Sequence, residues 1–373
     1  MTELNNNAAL NTTIAVAAVA SLWTLGRLFV RHIDGQPLVP YEPRRPVPWN
    51  GWPALLLLAP LILSVGARVV GYAAPADESF EAWEVAGAAL LAQVAAASAQ
   101  VAAVATTATN ALAPVVKIAV SAAGAAERAG DFVLAAVAST AVQLLIAALT
   151  YAALATFTGA TRRDLGLPAD VRQFRSDVRL GGIAFLAALA PVYLVQAVLT
   201  WAFEPQEGHP FVMEFVANPS WGVMGAIALA AVVAAPVFEE TAFRLVLLGW
   251  LDKLQRRPPM PERGVEWLGT QPSEAPSASL LESPAEDAVA GVANSGDNAG
   301  AADISPAWWP IAVTAVLFGL AHWGHGAAPA PLMLLGLVLG YLYHRTGRIV
   351  PSMTCHLLFN AFTMWQLLLL FLG

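Results

Sequence analysis

The sequence contains few charged residues for its length. Only 12% of its 373 residues are Asp, Glu, Lys or Arg, whereas a soluble domain carries about 25%. Hydrophobic residues make up 57% of the chain, which excludes an ordinary soluble monomer. Several apolar stretches reach the roughly 20 residues that a helix needs to cross a bilayer; they include residues 8–30, 51–74, 132–157 and 180–203. The sequence therefore predicts an integral membrane protein.

Other absences limit the possible function classes. The single cysteine, Cys355, excludes an intramolecular disulfide and a cysteine-rich metal site. Residues 1–8 lack Lys and Arg and include Glu3, so the first apolar stretch is predicted to be a retained span and not a cleaved signal peptide. No basic stripe alternates with aromatic residues, which excludes nucleic acid as a partner. The lipid bilayer is the expected surrounding of most of the chain.

The distribution of charge and the local composition predict how the chain is organised. Basic residues cluster in the loop 161–179 and at the end of a predicted helix over 220–254, which places both on the cytoplasmic side of the inner cell membrane. The segment 258–306 is rich in Pro, Ser, Ala, Gly and acidic residues and is predicted to be a disordered cytoplasmic insertion. Further helices are predicted over 308–323, 332–343 and 349–372.

These elements define an all-α fold, a polytopic membrane helix bundle of about eight to ten helices. The count stays open because polar residues interrupt the apolar tract 85–126, which forms either two short spans or one span and a surface helix. We divide the chain into N-terminal membrane helices of unknown role, residues 1–130, and a second domain, residues 131–373, that the insertion interrupts.

Three charged residues lie inside the predicted helix 220–254: Glu239, Glu240 and Arg244. Each costs roughly 2.5 to 3.5 kcal/mol in the centre of a membrane helix unless it is paired or hydrated. Glu240 and Arg244 are four residues apart and can pair on one face, whereas Glu239 points about 100° away and has no partner nearby in the sequence. Pro236 predicts a kink where the acids enter. A buried ion network that only fixes helix packing is the structural alternative.

Two further predicted helices carry histidine. Phe318 and His322 are four residues apart, as are His356 and Asn360, so each pair shares a helix face. A single histidine on an apolar helix is usually a packing residue. Two histidines and a carboxamide beside an unpaired glutamate instead predict hydrolysis, which needs a base for water, a group that orients it and donors for an oxyanion.

Two other reactive side chains are weaker candidates. Cys355 precedes His356, but adjacent helical positions diverge by about 100°, so the thiol is expected to pack. His344 lies near a helix end and is expected to be solvated or interfacial.

At these motifs the sequence resembles the CAAX-protease and bacteriocin-processing family of intramembrane proteases, also called the Abi or type II CAAX prenyl endopeptidase family. The family pattern is Glu-Glu-x-x-x-Arg, then Phe-x-x-x-His, then His-x-x-x-Asn or Asp, each on its own membrane helix. The matching residues are Glu239, Glu240, Arg244, Phe318, His322, His356 and Asn360. The resemblance covers roughly residues 180–373. Leu245 stands where the family usually has Gly, and the insertion lengthens the gap between the first two motifs.

The resemblance implies a role for each motif residue and a class of substrate. Glu239 is expected to be the general base, with His322 as the second group that anchors the water. His356 and Asn360 are expected to stabilise the oxyanion. Glu240 and Arg244 are expected to hold the helix and Glu239 in place. The implied substrate is a membrane-associated peptide or protein, and a prenylated CAAX tail, a leader peptide or a membrane-anchored protein all fit.

Cofactor and function class have alternatives. Glu239, His322 and His356 provide the only donor set for a zinc ion, but the resemblance favours a metal-free, glutamate-activated water and no cofactor.

A non-catalytic peptide-binding or immunity protein would keep the same motifs, and a transporter would use intramembrane acids and histidines as a proton relay. The absence of inverted repeats argues against transport, and the intact motifs argue against pure binding.

Helix rise predicts where the motifs meet. Glu239 lies about 20 to 27 Å from the basic end of its helix, and His322 about 22 Å from the start of its own. His356 lies only about 10 Å beyond Ile349. The motifs are therefore expected to meet inside the membrane in a cavity that opens to the cytoplasm, with His356 nearer the cytoplasm than Glu239 unless its helix begins deeper in the membrane.

Overall fold

A computed structural model of the protein describes residues 2–54, 57–58, 132–203, 210–255, 308–323 and 326–372. Those residues form helices and contain no strand, which confirms the all-helical fold class. The helices are α1 (Thr2–Ile33), α2 (Phe132–Thr158), α3 (Val171–Phe203), α4 (Pro210–Ala217), α5 (Trp221–Gln255), α6 (Trp308–Leu320), α7 (Pro329–Thr346) and α8 (Ile349–Phe371). Most of the predicted span 51–74, the tract 85–126 and the insertion 258–306 lie outside the described residues.

Five of the described helices are long and apolar enough to cross a membrane. They are α1 from Ala8 onwards, α2, α3, α5 and α8, and α6 is a shorter apolar helix. The predicted spans 8–30, 132–157 and 349–372 coincide with α1, α2 and α8 to within a few residues. The chain is therefore a polytopic helical membrane protein.

Helix α3 begins earlier than its predicted span, at Val171. The side chain of Asp170 accepts a hydrogen bond from the backbone N–H of Gln173 at 2.7 Å, and Gln173 Oε1 accepts one from the N–H of Ala169 at 2.6 Å. Reciprocal capping of this kind satisfies the first backbone donors of a helix. Part of the basic loop 161–179 is therefore the first two turns of α3.

Helix α5 lies at the centre of the described bundle, where it contacts α2, α6, α7 and α8, while α3 packs on α1, α7 and α8. Helices α6 and α7 approach closely through glycine. A Cβ atom at Gly336 would lie 2.9 Å from Ala315 Cα, and one at Gly319 would lie 2.5 Å from the carbonyl oxygen of Pro329. This close contact fixes the end of α6, just before His322, beside α5.

Helix α5 is continuous but contains two wide-turn segments. π-Helical hydrogen bonding runs over Leu229–Ala234 and Glu240–Leu248, and the α-helical stretch Ala235–Glu239 lies between them. Pro236 stands in that middle stretch and has no backbone N–H. The prediction of a kink at Pro236 did not anticipate the π-helical segments on both sides of it. Such segments occur frequently at functional sites.

A non-helical segment rich in proline follows α1. We call residues 36–50 the proline strap. Its prolines at 37, 40, 43 and 46 are all exposed, and their spacing matches the three residues per turn of a polyproline II helix. Val39, Val47 and Trp49 of the strap are buried. The strap therefore presents its prolines to the outside and its larger side chains to the helix bundle.

Backbone and side-chain hydrogen bonds connect the proline strap to the ends of α5 and α7. The N–H of Glu42 donates to the carbonyl oxygen of Arg345 at 2.8 Å, which satisfies a carbonyl at the end of α7. Trp49 Nε1 donates to the carbonyl oxygen of Val246 at 3.3 Å, and Lys253 Nζ donates to the carbonyl oxygen of Trp49 at 2.9 Å. The strap thus covers this end of the bundle.

Ion pairs reinforce the same end of the bundle. Arg44 of the strap pairs with Asp252 of α5 at 3.1 Å, and Asp252 also contacts His344 Nδ1 at 3.1 Å. His344 is only 5% exposed, so the expectation that it is solvated is wrong, because the strap and Asp252 enclose it. Arg45 donates to Asp164 Oδ1 at 2.7 Å. This hydrogen bond, together with those from Thr161, holds the pKa of Asp164 well below its usual range.

Candidate active site

The three charged residues of α5 differ sharply in exposure. The side chains of Glu240 and Arg244 are 0% and 1% exposed, and Arg244 Nη1 lies 3.4 Å from Glu240 Oε1. The ion pair predicted from their spacing is therefore present, inside the first turns of the second π-helical segment. The side chain of Glu239 is 19% exposed and makes no ion pair with Arg244 among the described contacts. The accessible carboxylate is thus Glu239.

The ring of Phe318 lies at the centre of the site. The guanidinium carbon of Arg244 is 4.4 Å from the ring centroid, a cation–π contact. The imidazoles of His322 and His356 lie against the same ring, with centroids 5.3 Å and 5.5 Å away. Phe318 is fully buried. It therefore holds one buried cation and both histidines at fixed separations.

His356 of α8 faces both glutamates. Its Nδ1 lies 3.0 Å from Glu240 Oε1, and its Nε2 lies 3.7 Å from Glu239 Oε2. A carboxylate accepts hydrogen bonds, so Nδ1 carries the proton that His356 donates to Glu240. Its Nε2 faces the accessible carboxylate of Glu239.

His322 lies in the turn directly after α6 and not inside a helix as predicted. The backbone N–H of His322 donates to the carbonyl oxygen of Gly319 at 3.0 Å, in a tight turn that ends α6. Its Nδ1 lies 2.9 Å from the carbonyl oxygen of Phe318. A carbonyl only accepts, so Nδ1 carries the proton, and Nε2 is the acceptor atom in the neutral ring. That Nε2 lies 4.0 Å from Glu239 Oε1.

The spacing between Glu239 and His322 suits one water molecule. Two hydrogen bonds of about 2.8 Å, donated by one water to two acceptors, span roughly 4 to 4.5 Å. The observed 4.0 Å between His322 Nε2 and Glu239 Oε1 lies at the lower end of that range. A water held in this way would direct its lone pairs away from both side chains.

Among the described contacts, Asn360 touches the backbone of α5 and none of the five charged or imidazole groups described above. Its Nδ2 donates to the carbonyl oxygen of Ala231 at 2.7 Å. The structure therefore brings the carboxylates and imidazoles of the three motifs together, and it places Asn360 one helical turn beyond His356, against the first π-helical segment.

His356 does not lie nearer the cytoplasm than the two glutamates, and the alternative of a helix that begins deeper applies. It lies at the level of Glu239 and Glu240, because it contacts both. Helix α8 begins deeper in the bundle than expected: Arg348, just before it, pairs with Asp177 at 2.8 Å. Asp177 lies about 9 Å inside α3, measured from Val171 along the helix.

A metal ion does not fit the described residues well. Zinc requires three protein ligands about 2.0 to 2.2 Å from one point in a hydrolytic site. No group of three His, Cys, Asp or Glu side chains in the described part of the chain is arranged to hold one. In the candidate set, His322 Nε2 lies 4.0 Å from Glu239 Oε1 and His356 Nε2 lies 3.7 Å from the other oxygen, Oε2, and we derive no step through a metal. Cys355 is buried, as expected for a packing residue.

Comparison with known proteins agrees with this class of site. Residues 295–362 match the family model described as type II CAAX prenyl endopeptidase Rce1-like. No curated protein and no solved structure matched the chain. The matched segment contains the second and third motifs, with Phe318, His322, His356 and Asn360. The match confirms the resemblance to the CAAX-processing intramembrane proteases that the three motifs predict.

The sequence analysis missed the proline strap. Arg44 and Trp49 connect the strap to Asp252 and to Val246 in the second π-helical segment, which also carries Glu240. A proline at every third position, directly after a membrane span, was the available signal.

Proposed function

We propose that the protein is an intramembrane endopeptidase in which Glu239 activates a water molecule for attack on a peptide bond. One observation carries the proposal. Glu239 is partly exposed and faces the Nε2 atoms of His322 and His356 at 4.0 and 3.7 Å, while its neighbour Glu240 is committed to Arg244. The family match supports protease chemistry of the CAAX type.

The chemical steps follow from the positions of these groups. The water donates hydrogen bonds to Glu239 and to His322 Nε2. When its oxygen attacks the carbonyl carbon, a C–O bond forms, the water proton moves to Glu239, and the carbonyl oxygen becomes an oxyanion. Collapse of the tetrahedral intermediate breaks the C–N bond, and the proton held by Glu239 passes to the leaving amine.

His356 is proposed to stabilise the oxyanion. Its Nδ1 donates to Glu240, and its Nε2, on the side of Glu239, would donate to the oxyanion when it carries a proton. A donor fixed in advance in a site of low dielectric is most effective where charge develops. Arg244 pairs with Glu240 in turn and so fixes the carboxylate that holds His356.

The proposed substrate is a membrane-associated peptide or protein. A prenylated CAAX tail, a leader peptide and a membrane-anchored protein have the same scissile bond and the same need for a site inside the bilayer. We place the protein in the inner cell membrane, with the site open to the cytoplasm. The side chains of Glu239 and His322 keep about a fifth of their surface exposed, and we propose that the substrate reaches them from that side.

Cleavage by the purified protein in detergent tests the proposal. A library of peptides, some prenylated at the C-terminus, is incubated in a strong chelator with the wild type and the Glu239→Gln variant. Loss of a general base should lower the rate of the variant about 100- to 10,000-fold, and the proposed metal-free reaction should keep its wild-type rate in the chelator.

The control is Glu214→Gln, which makes the same change at a half-buried glutamate of α4 and should retain activity. Cleavage by Glu239→Gln at the wild-type rate would contradict the assignment, and binding without cleavage by the wild type would indicate a peptide-binding protein.

A further inference from the structure

We propose that Asn360 is a positioning residue: its side chain supplies the hydrogen bond that Pro236 cannot donate, and so fixes the backbone that carries Glu239. The inference deepens the proposed function and rests on it. The resemblance implies that Asn360 donates to the oxyanion, whereas its contact in the structure is with the main chain of α5.

The hydrogen-bond pattern of the first π-helical segment identifies the carbonyl concerned. In a π-helix each N–H donates to the carbonyl oxygen five residues earlier, and here Ala235 N–H donates to Ala230 O. The next donor in this series would be residue 236 and its acceptor Ala231 O. Residue 236 is proline and has no N–H. Asn360 Nδ2 donates to Ala231 O at 2.7 Å instead.

The contact matters because of where it lies. Backbone carbonyls inside a membrane protein must find a partner within the protein, so an unpartnered Ala231 would favour rearrangement of the turn around Pro236. Glu239 is three residues after Pro236 and at the end of the short α-helical stretch. Any rearrangement of that stretch moves the carboxylate relative to His322.

Helix α8 therefore contacts α5 at two points one helical turn apart. His356 contacts the acids at the end of the α-helical stretch, and Asn360 contacts Ala231 before its start. The two contacts lie on either side of the stretch Ala235–Glu239. Together they hold both ends of the segment that positions the base.

Replacing Pro236 tests the inference, because Ala at that position restores an N–H that can donate to Ala231 O. Asn360→Leu alone should lower kcat about 100-fold with KM nearly unchanged, since a small misplacement of a catalytic group has an effect of that size. In the Pro236→Ala background the same substitution should lower kcat less than about fivefold. Asn218→Leu, an exposed asparagine that donates to Glu214, is the matched control and leaves kcat unchanged.

A second readout does not depend on catalysis. The four proteins to compare are the wild type, Asn360→Leu, Pro236→Ala and the double variant. Thermal unfolding in detergent should show that Asn360→Leu lowers Tm clearly in the wild type and much less in the Pro236→Ala background. If the wild type cleaves no peptide but the Tm values show this coupling, the proposed function fails and the positioning role stands. Additive effects on Tm and an equal loss of kcat in both backgrounds would overturn the inference and return Asn360 to direct contact with the oxyanion.

Discussion

Glu239 and Glu240 are neighbours in sequence but occupy opposite environments. Glu240 points into the protein, where it meets Arg244 and His356 and has no exposed surface. Glu239 points toward the gap that His322 borders and keeps about a fifth of its side-chain surface exposed. A rotation of about 100° between consecutive positions accounts for the separation. One residue of the pair can therefore serve structure while the other serves chemistry.

Substitution of Glu240 should damage the fold more than substitution of Glu239. Glu240→Gln leaves the fully buried Arg244 without its counter-ion, and breaking a buried pair in this way costs about 3 to 5 kcal/mol. Glu239→Gln removes no such partner and should change the free energy of unfolding by less than about 1 kcal/mol. Thermal unfolding of both variants in detergent measures the difference. Equal stability of the two variants would show that Arg244 does not depend on Glu240.

At the residue scale, sequence spacing was informative wherever both partners share one helix. The pair Glu240 and Arg244 follows from a separation of four residues. The contacts of His356 and the burial of His344 depend on where another element begins or folds back. Neither position is encoded in local spacing, so the solvation expected for His344 was wrong and the depth of His356 could not be decided.

At the scale of elements, two features carry much of the architecture. The π-helical segments of α5 shift the register of the helix on both sides of Glu239, and the proline strap joins the ends of α5 and α7. Apolar periodicity predicts a helix over the residues of α5. It does not distinguish i+4 from i+5 backbone hydrogen bonding there, because apolar residues surround α5 on all sides. The capped start of α3 was visible in Asp170 and Gln173 but was not used.

The strap contact between Arg45 and Asp164 should contribute a pH-dependent share of the stability. The pKa of Asp164 is lowered by the hydrogen bond from Arg45 and those from Thr161. Because this pKa is lowered on folding, the carboxylate stabilises the folded state fully at pH values above its pKa in the unfolded chain, which is near 4. The stabilisation is lost as the pH falls toward the lower pKa of the folded state. Asp164→Asn should therefore cost about 1 to 2 kcal/mol at pH 7, and the difference from the wild type should shrink below about pH 4.

Thermal unfolding in detergent between pH 7 and pH 3 measures this dependence. Asp34→Asn, the same change at an exposed aspartate just before the strap, is the control and should follow the wild type throughout. A stability difference at Asp164 that stays constant down to pH 3 would show that the carboxylate charge plays no part.

At the scale of the whole molecule, the basic residues gather at one end of the bundle. Helices α2, α5 and α7 end there and α3 and α8 begin there, and the strap arginines pair with acids from α2–α3 and α5. From the excess of arginine in 161–179, the positive-inside rule leads us to expect that this end faces the cytoplasm. Composition and hydropathy were sufficient to predict the all-helical membrane fold, because every span must satisfy its own backbone.

Thiol labelling in intact cells tests this orientation. Single cysteines replace Arg175 or Arg257 on a Cys355→Ser background, and a membrane-impermeant thiol reagent is added from outside. Neither position should react until the membrane is opened. Asn218→Cys, in the exposed connection between α4 and α5 at the other end of the bundle, should react at once. Labelling of residue 175 or 257 from outside would invert the topology and the cytoplasmic access with it.

The proline strap has a consequence for experiments that exchange parts of the protein. An extended peptide that binds along the surface of a folded domain is a familiar mode of recognition between separate molecules. Here the peptide is tethered to its receptor, and Arg44, Trp49 and the Glu42 N–H provide its contacts. A synthetic peptide of residues 36–50 should therefore compete with the native strap for the ends of α5 and α7, which would make this segment a point at which the proposed activity can be inhibited from outside the membrane core.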